Sequence, residues 1–126
     1  MNVPANYKYT KEHEWILIEG NTGKIGITDF AQSQLGDIVF VDINPNLTEI
    51  KAGESFGTIE AVKTVSELYA PCSGKVIEIN KKINDSPEVI NTDPYGEGWM
   101  IKIELTNLEE LNNLLDSEAY SKLIAE

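Results

Sequence analysis

The sequence predicts a mainly β fold with short helices and a C-terminal helical segment. Up to Glu104 the apolar residues fall in short alternating segments, separated by Gly, Pro, Asn and Ser at the places where chains turn. Beyond Thr106 the period changes, and Leu108, Leu111, Leu114 and Leu115 recur at helical spacing. At 126 residues the chain suits one compact core, so residues 1–126 read as a single domain, with strands within about 7–105 and a helical tail over about 106–126.

Trp15 to Ile18 and Lys24 to Ile27 read as two strands, with turn chemistry over Gly20-Asn21-Thr22-Gly23. Thr28 or Asp29 then caps a short helix from Phe30 to Leu35, which Gly36 ends. Ile38 to Ile43 is a strand closed by Asn44-Pro45-Asn46, because Pro45 has no N–H for the ladder. Ser55 to Glu60 and Val65 to Tyr69 form two further strands, joined by Ala61-Val62-Lys63-Thr64. Pro71 and Ser73-Gly74 mark a turn before the alternating strand Lys75 to Ile79. Asn80 to Gly98 reads as an ordered loop with a helical turn near Pro87 to Ile90, and Trp99 to Glu104 as the last strand.

In the tail, Thr106 and Glu109 have the spacing of a capping box ahead of a helix. Asp116 or Ser117 caps another short helix, with Ala119, Tyr120, Leu123 and Ile124 on its apolar side. One internal echo is present: Gly36 to Val41 and Gly74 to Ile79 share a glycine, a polar residue and a strand, as two similar halves of a flattened barrel do.

Ten basic residues against 21 acidic ones give a net charge of −11. Such a surface repels nucleic acid and anionic membranes, and suits either solubility alone or transient docking to basic patches on partner proteins. No segment approaches the roughly 20 apolar residues of a membrane-spanning helix. The first residues lack a signal core and an Arg-rich transit character, so a bacterial cytoplasmic protein is expected, with a mature organellar one as the alternative. Cys72 is the one cysteine and His13 the one histidine, too few soft ligands for a structural zinc site, so no metal is expected. Cys72 is read as a small buried side chain. Nothing flanking Cys72 or His13 supports a nucleophile pair, and His13 and Glu14, neighbours on a strand, are expected on opposite faces.

What stands out is Lys63, at the middle of a tight hairpin. A lysine at a turn tip is ordinarily solvated and nothing more. A carrier, however, needs an accessible amine on a long stem over a rigid backbone that a modifying enzyme can read, and a hairpin supplies all three.

The residues around Lys63 decide between these readings. Gly57-Thr58-Ile59-Glu60-Ala61-Val62-Lys63-Thr64-Val65-Ser66-Glu67-Leu68 resembles the lipoylation segment of glycine cleavage H proteins, in which Glu, a small residue and Val precede the modified Lys. The resemblance extends to His13-Glu14-Trp15, Gly26 to Gln32, Leu35 to Val39, Pro71 to Asn80 and Asp93 to Trp99, in the family's order over nearly the whole chain.

The resemblance implies a barrel-sandwich hybrid of the lipoyl and biotinyl carrier type, with lipoic acid attached to Lys63. It implies a shuttle and not an enzyme: glycine decarboxylase loads an aminomethyl group onto the arm, a tetrahydrofolate-dependent aminomethyltransferase removes the one-carbon unit, and dihydrolipoamide dehydrogenase reoxidises the dithiol. A lipoate ligase or lipoyltransferase is the further partner, and a monomer suits visits to several active sites. Family members shield the loaded arm in a cleft, for which Glu12, Glu14, Leu35 and Glu67 are the candidates, with an acidic group pairing with the ammonium and Leu35 excluding water. Gln34 stands where some members have His, and Glu12 where some have Ser. For Glu14 a solvated strand charge is the alternative. Glu60 and Ser66 flank the hairpin, where ligase recognition and hairpin hydrogen bonding explain them equally well. Trp15 and Trp99 read as packing residues, and Gly36, Gly74 and Gly98 as turn positions.

Rival carriers differ at the tip. Lipoyl domains of 2-oxoacid dehydrogenases carry Asp-Lys-Ala there and lead into a flexible linker, and biotin carriers place Met on both sides of the lysine. An H-like lipoyl relay or scaffold, serving lipoate transfer to other carriers, has the same attachment segment and is the alternative function.

Overall fold

A computed structural model of the chain describes residues 2–125, so Met1 and Glu126, the ends of the expected domain, lie outside the described residues. Among the described residues, nine strands form two antiparallel sheets. The larger runs in the order β1 (Lys8–Tyr9), β2 (Glu14–Glu19), β3 (Thr22–Ile27), β9 (Ile101–Leu105), β8 (Gly74–Ile79) and β5 (Glu49–Ile50). The smaller is β4 (Ile38–Asp42), β6 (Ser55–Ala61) and β7 (Val65–Tyr69). The two strands of the internal echo, β4 and β8, take places in opposite sheets.

The core sits between the sheets. Ile16, Ile25 and Ile103 of the larger meet Val41, Ile59 and Leu68 of the smaller, all buried. Alternation along β2 sends its next residue the other way. Trp15 joins Tyr9 and Tyr120 in a second buried cluster on the opposite face, under α4 (Ser117–Ala125). Tyr9 and Tyr120 are stacked with centroids 4.7 Å apart, and the Trp15 indole N–H donates to the Pro94 carbonyl at 3.0 Å. Thus β2 is covered on both faces.

Several elements differ from expectation. β1 and β5, two residues each, were not expected, since segments so short carry no periodic signal and exist only through their partners. Residues 80–98 hold two helical turns, α2 (Lys82–Asp85) and α3 (Val89–Thr92), where one was expected. The last strand starts at Ile101: Trp99 stops short of it, half-buried, with the Lys24 ammonium 5.6 Å from its ring centroid.

The tail after Thr106 begins with a 3-10 helix, Leu108–Asn113, and no capping box forms. Asn107 is the cap, its side chain accepting from the Glu109 N–H at 3.2 Å. The neighbouring Glu110 carboxylate is drawn across the molecule to the Ser73 N–H and hydroxyl, at 2.7 and 2.9 Å. That anchor sets how the segment lies on the domain and leaves Leu108 exposed, while Leu111, Leu114 and Leu115 pack inward. Asp116 caps α4 by accepting from the Ala119 N–H at 2.8 Å.

Candidate functional site

The hairpin that carries Lys63 is short and braced. Glu60 pairs with Val65, and the Ala61 N–H donates to the Thr64 carbonyl at 2.8 Å, leaving Val62 and Lys63 at the tip. The Val62 N–H is bonded to the Asp37 carbonyl at 3.1 Å, which ties the tip to the chain entering β4. Lys63 is exposed and Val62 keeps 73% of its surface in solvent. Among the described residues no carboxylate pairs with the Lys63 amine. The backbone beneath the amine is fixed and the amine itself is free.

Beside the hairpin lies a cleft of about 290 Å³ between α1 (Asp29–Leu35), β7 and the turn before β2. Thr28, not Asp29, caps α1: its hydroxyl accepts from the Ala31 N–H at 3.1 Å. Gly36, at φ 79°, ends the helix and donates its N–H to the Gln32 carbonyl at 2.9 Å. Asn91 of α3 pins this end, donating to the Gly36 carbonyl at 2.9 Å and accepting from the Ile38 N–H at 2.9 Å. The helix therefore presents Ala31, Gln34 and Leu35 to the cleft from a rigid seat.

Six of the sequence-derived candidates meet there: Glu12, Glu14, Gln34, Leu35, Ser66 and Glu67. Glu60 does not. It lies exposed in a row across the smaller sheet, between Phe40 and Val65, both also exposed. The apolar walls Ile27, Phe30, Ile59 and Leu68, and also His13, are cleft residues that no local pattern marks as such.

Glu14 is not a solvated strand charge. Its residue is 2% exposed; Oε1 accepts the Thr10 hydroxyl at 2.6 Å, and Oε2 accepts the Tyr69 N–H at 3.3 Å. Burial pushes its pKa up to about 7, against the pull of those two hydrogen bonds. His13 and Glu14 take partners on opposite sides of β2, the Glu14 carboxylate at Tyr69 of the smaller sheet and the His13 ring at Tyr120 of the second cluster, while both residues contribute to the cleft lining. His13 immediately precedes β2 and has φ 70°, the only positive value at a non-glycine among the described residues. Its Nδ1 is 2.8 Å from the Tyr120 hydroxyl, and burial lowers its pKa.

Cys72 is wholly buried, with its thiol pushed up to about 12 by burial and by Glu110. Among the described residues no group of three or more His, Cys, Asp or Glu is placed to hold a metal ion, and no helix is long and apolar enough to cross a membrane.

A sandwich of two sheets with a free lysine on a braced hairpin, beside a cleft walled by apolar and acidic groups, defines a carrier domain of the lipoyl type. The comparisons with known proteins make this specific. The family model described as Glycine cleavage H-protein matches residues 7–126, and the chain belongs to that family. It is 60% identical over 125 residues to the glycine cleavage system H protein of Symbiobacterium thermophilum, covering 99% of this chain and 98% of that one. It is 56% identical over 124 residues to the one from Carboxydothermus hydrogenoformans, covering 98% and 95%. A crystal structure of a glycine cleavage system H protein from Mycobacterium marinum superposes with a TM-score of 0.88 at 40% identity, covering 98% of this chain and all of that one. Proteins of this family carry lipoate covalently on a lysine and serve as the lipoyl shuttle of the glycine cleavage system, whose other components are thereby the partners of this chain.

Proposed function

We propose that Lys63 is the lipoylated lysine and that the cleft between α1 and β7 receives the arm with its cargo. The observation that carries this reading is the course of the cleft. It follows β7 from Ser66, beside the hairpin, to Leu68, and it is walled by Glu14, which is bonded to Tyr69 at the strand's far end. From Val65 to Tyr69 the strand spans about 13 Å. A lysine stem lengthened by a medium-chain acyl group reaches that far and lies against the strand.

The cleft residues fit such an arm. Leu35, Ile27 and Leu68 offer apolar walls to an alkyl chain and sulfur ring, and Glu12, Glu14 and Glu67 offer carboxyl groups to an ammonium on the cargo. Gln34 adds a neutral donor and acceptor at the mouth. Lipoate, when attached, supplies group transfer and dithiol–disulfide exchange. The residues of the chain hold the arm, exclude water from it and neutralise the cargo's charge. The protein is itself non-catalytic, and the domain spans residues 1–126.

Its partners are then glycine decarboxylase, which hands on the aminomethyl group, the tetrahydrofolate-dependent aminomethyltransferase, which takes it, and dihydrolipoamide dehydrogenase, which accepts the electrons. A lipoate ligase or lipoyltransferase reads the hairpin, with Glu60 on the outward row beside Val65 as a recognition residue, while Ser66 turns to the cleft. A monomer serves all these visits. A cytoplasmic location goes with the likeness to bacterial relatives.

Intact and peptide mass spectrometry after co-expression with a lipoate ligase tests the assignment. One lipoyl group per chain, confined to Lys63 and lost in Lys63→Ala, is expected. A bare Lys63 under conditions that lipoylate a known acceptor overturns it.

A further inference from the structure

The Tyr120 hydroxyl stands between two groups of the cleft's framework. It is 2.8 Å from His13 Nδ1 and 2.7 Å from Thr28 Oγ1, and Tyr120 itself is wholly buried. Proton bookkeeping orients the relay. Thr28 Oγ1 already accepts the Ala31 N–H, so its own proton is left to donate to Tyr120 Oη. The Tyr120 proton then goes to His13 Nδ1, which must be an acceptor. In the reverse order the Thr28 proton has no acceptor among the described residues, inside a fully buried site.

A ring that accepts at Nδ1 carries its proton on Nε2. Nε2 has no hydrogen-bond partner among the described residues, and it is not among the buried atoms left unsatisfied, so it is open to the exterior. The residue lines the cleft next to Glu14 and is held there in a left-handed backbone conformation that few non-glycine residues adopt. Strain of this kind persists where surrounding bonds over-determine it, here the Thr28 N–H to the His13 carbonyl at 3.0 Å and the His13 N–H to the Thr10 carbonyl at 3.2 Å.

We propose that Tyr120, from the C-terminal helix, locks His13 as its Nε2–H tautomer, and that this N–H is a hydrogen-bond donor to the lipoyl arm docked in the cleft. His13 is thus a binding residue for the arm, and Tyr120 and Thr28 are positioning residues that act through it. The role rests on the carrier reading given above. It links α4, remote in sequence, to arm docking.

His13 is the chain's one histidine, so its ring nitrogens are read without ambiguity by 15N–1H correlation on labelled protein. Above the pKa of the ring, the unlipoylated protein shows a protonated Nε2 and a bare Nδ1. Tyr120→Phe keeps the ring stacked on Tyr9 and yields a mixture of tautomers. In lipoylated protein, loading the arm with the aminomethyl group moves the Nε2–H resonance, and Tyr120→Phe speeds hydrolysis of the loaded arm about five-fold, the effect of one hydrogen bond. Thr28→Ser, which preserves the relay, behaves as the parent. A parent ring protonated at Nδ1 overturns the relay. A His13 Nε2 signal that ignores loading, in protein shown by mass to be lipoylated at Lys63, overturns the arm contact and leaves the carrier reading standing. A Lys63 that is never lipoylated overturns both that reading and the contact built on it.

Discussion

The Glu14 carboxylate reaches the backbone N–H of Tyr69 across 3.3 Å, joining β2 of the larger sheet to the end of β7 in the smaller. With the Thr10 hydroxyl at 2.6 Å on its other oxygen, the carboxyl group is held in place before any ligand arrives.

Burial of this group makes stability depend on pH. Its pKa stands at about 7 in the folded protein against 4.5 for an ordinary glutamate, so between those values the folded chain holds a proton that the unfolded chain has released. The associated stability is complete below the lower value and is lost as pH rises through the upper one, by roughly 3 kcal/mol. Urea midpoints measured at about pH 5 and about pH 8 should show the parent losing more stability than Glu14→Gln over that interval. Equal losses in the two proteins sink the argument.

Leu35 should matter more to the arm than to the fold. It is only partly buried and packs at the edge of the core. Leu35→Asp replaces an apolar wall of the cleft with a carboxylate, and hydrolysis of the loaded arm should quicken by about ten-fold or more, consistent with the worth of water exclusion at a reactive group. The thermal midpoint should fall only modestly. Unchanged hydrolysis would place the arm elsewhere.

Gly26 and Trp15 are opposed in register, and a Cβ on Gly26 comes within 2.7 Å of the indole ring. The indole is fully buried and bonded to Pro94, so it has nowhere to go. Gly26→Ala should cost about 1–3 kcal/mol in chemical denaturation and shift the tryptophan emission. Gly23→Ala meets the aliphatic side chain of Ile16, its Cδ1 also at 2.7 Å, rather than a rigid ring, and should cost less.

Cys72 should be silent. Wholly buried, with its thiol lifted to about 12, it has almost no thiolate at neutral pH. Iodoacetamide should leave the native unlipoylated protein unmodified and add one group per chain after denaturation. Thiol labelling of reduced, lipoylated protein then reports the arm alone. Modification of native Cys72 at a rate near that of a free thiol would contradict the burial.

The main strands, the Gly36 stop of α1 and the hairpin over Ala61-Val62-Lys63-Thr64 were legible in the sequence, because each is written in neighbouring residues: alternation, a capping hydroxyl, a turn former. So was the family, through a segment around Lys63 whose order of side chains is local. Expectations failed where distant contacts compete with local pattern. Thr106 and Glu109 have the spacing of a capping box, yet Asn107 caps the segment and Glu110 crosses to Ser73, 37 residues away.

The amino-acid sequence by itself determined the mainly β architecture, the exposed position of Lys63 on a hairpin and membership of a lipoyl-carrier family. Tertiary structure alone decided that Glu14 is buried, through a bond to a residue 55 positions on. It decided also that His13, a residue of the cleft lining, is held by a tyrosine 107 positions on. The physical reason is range. Periodicity and turn chemistry act over a few residues, whereas burial and the orientation of a polar side chain depend on groups that only the packed chain brings together.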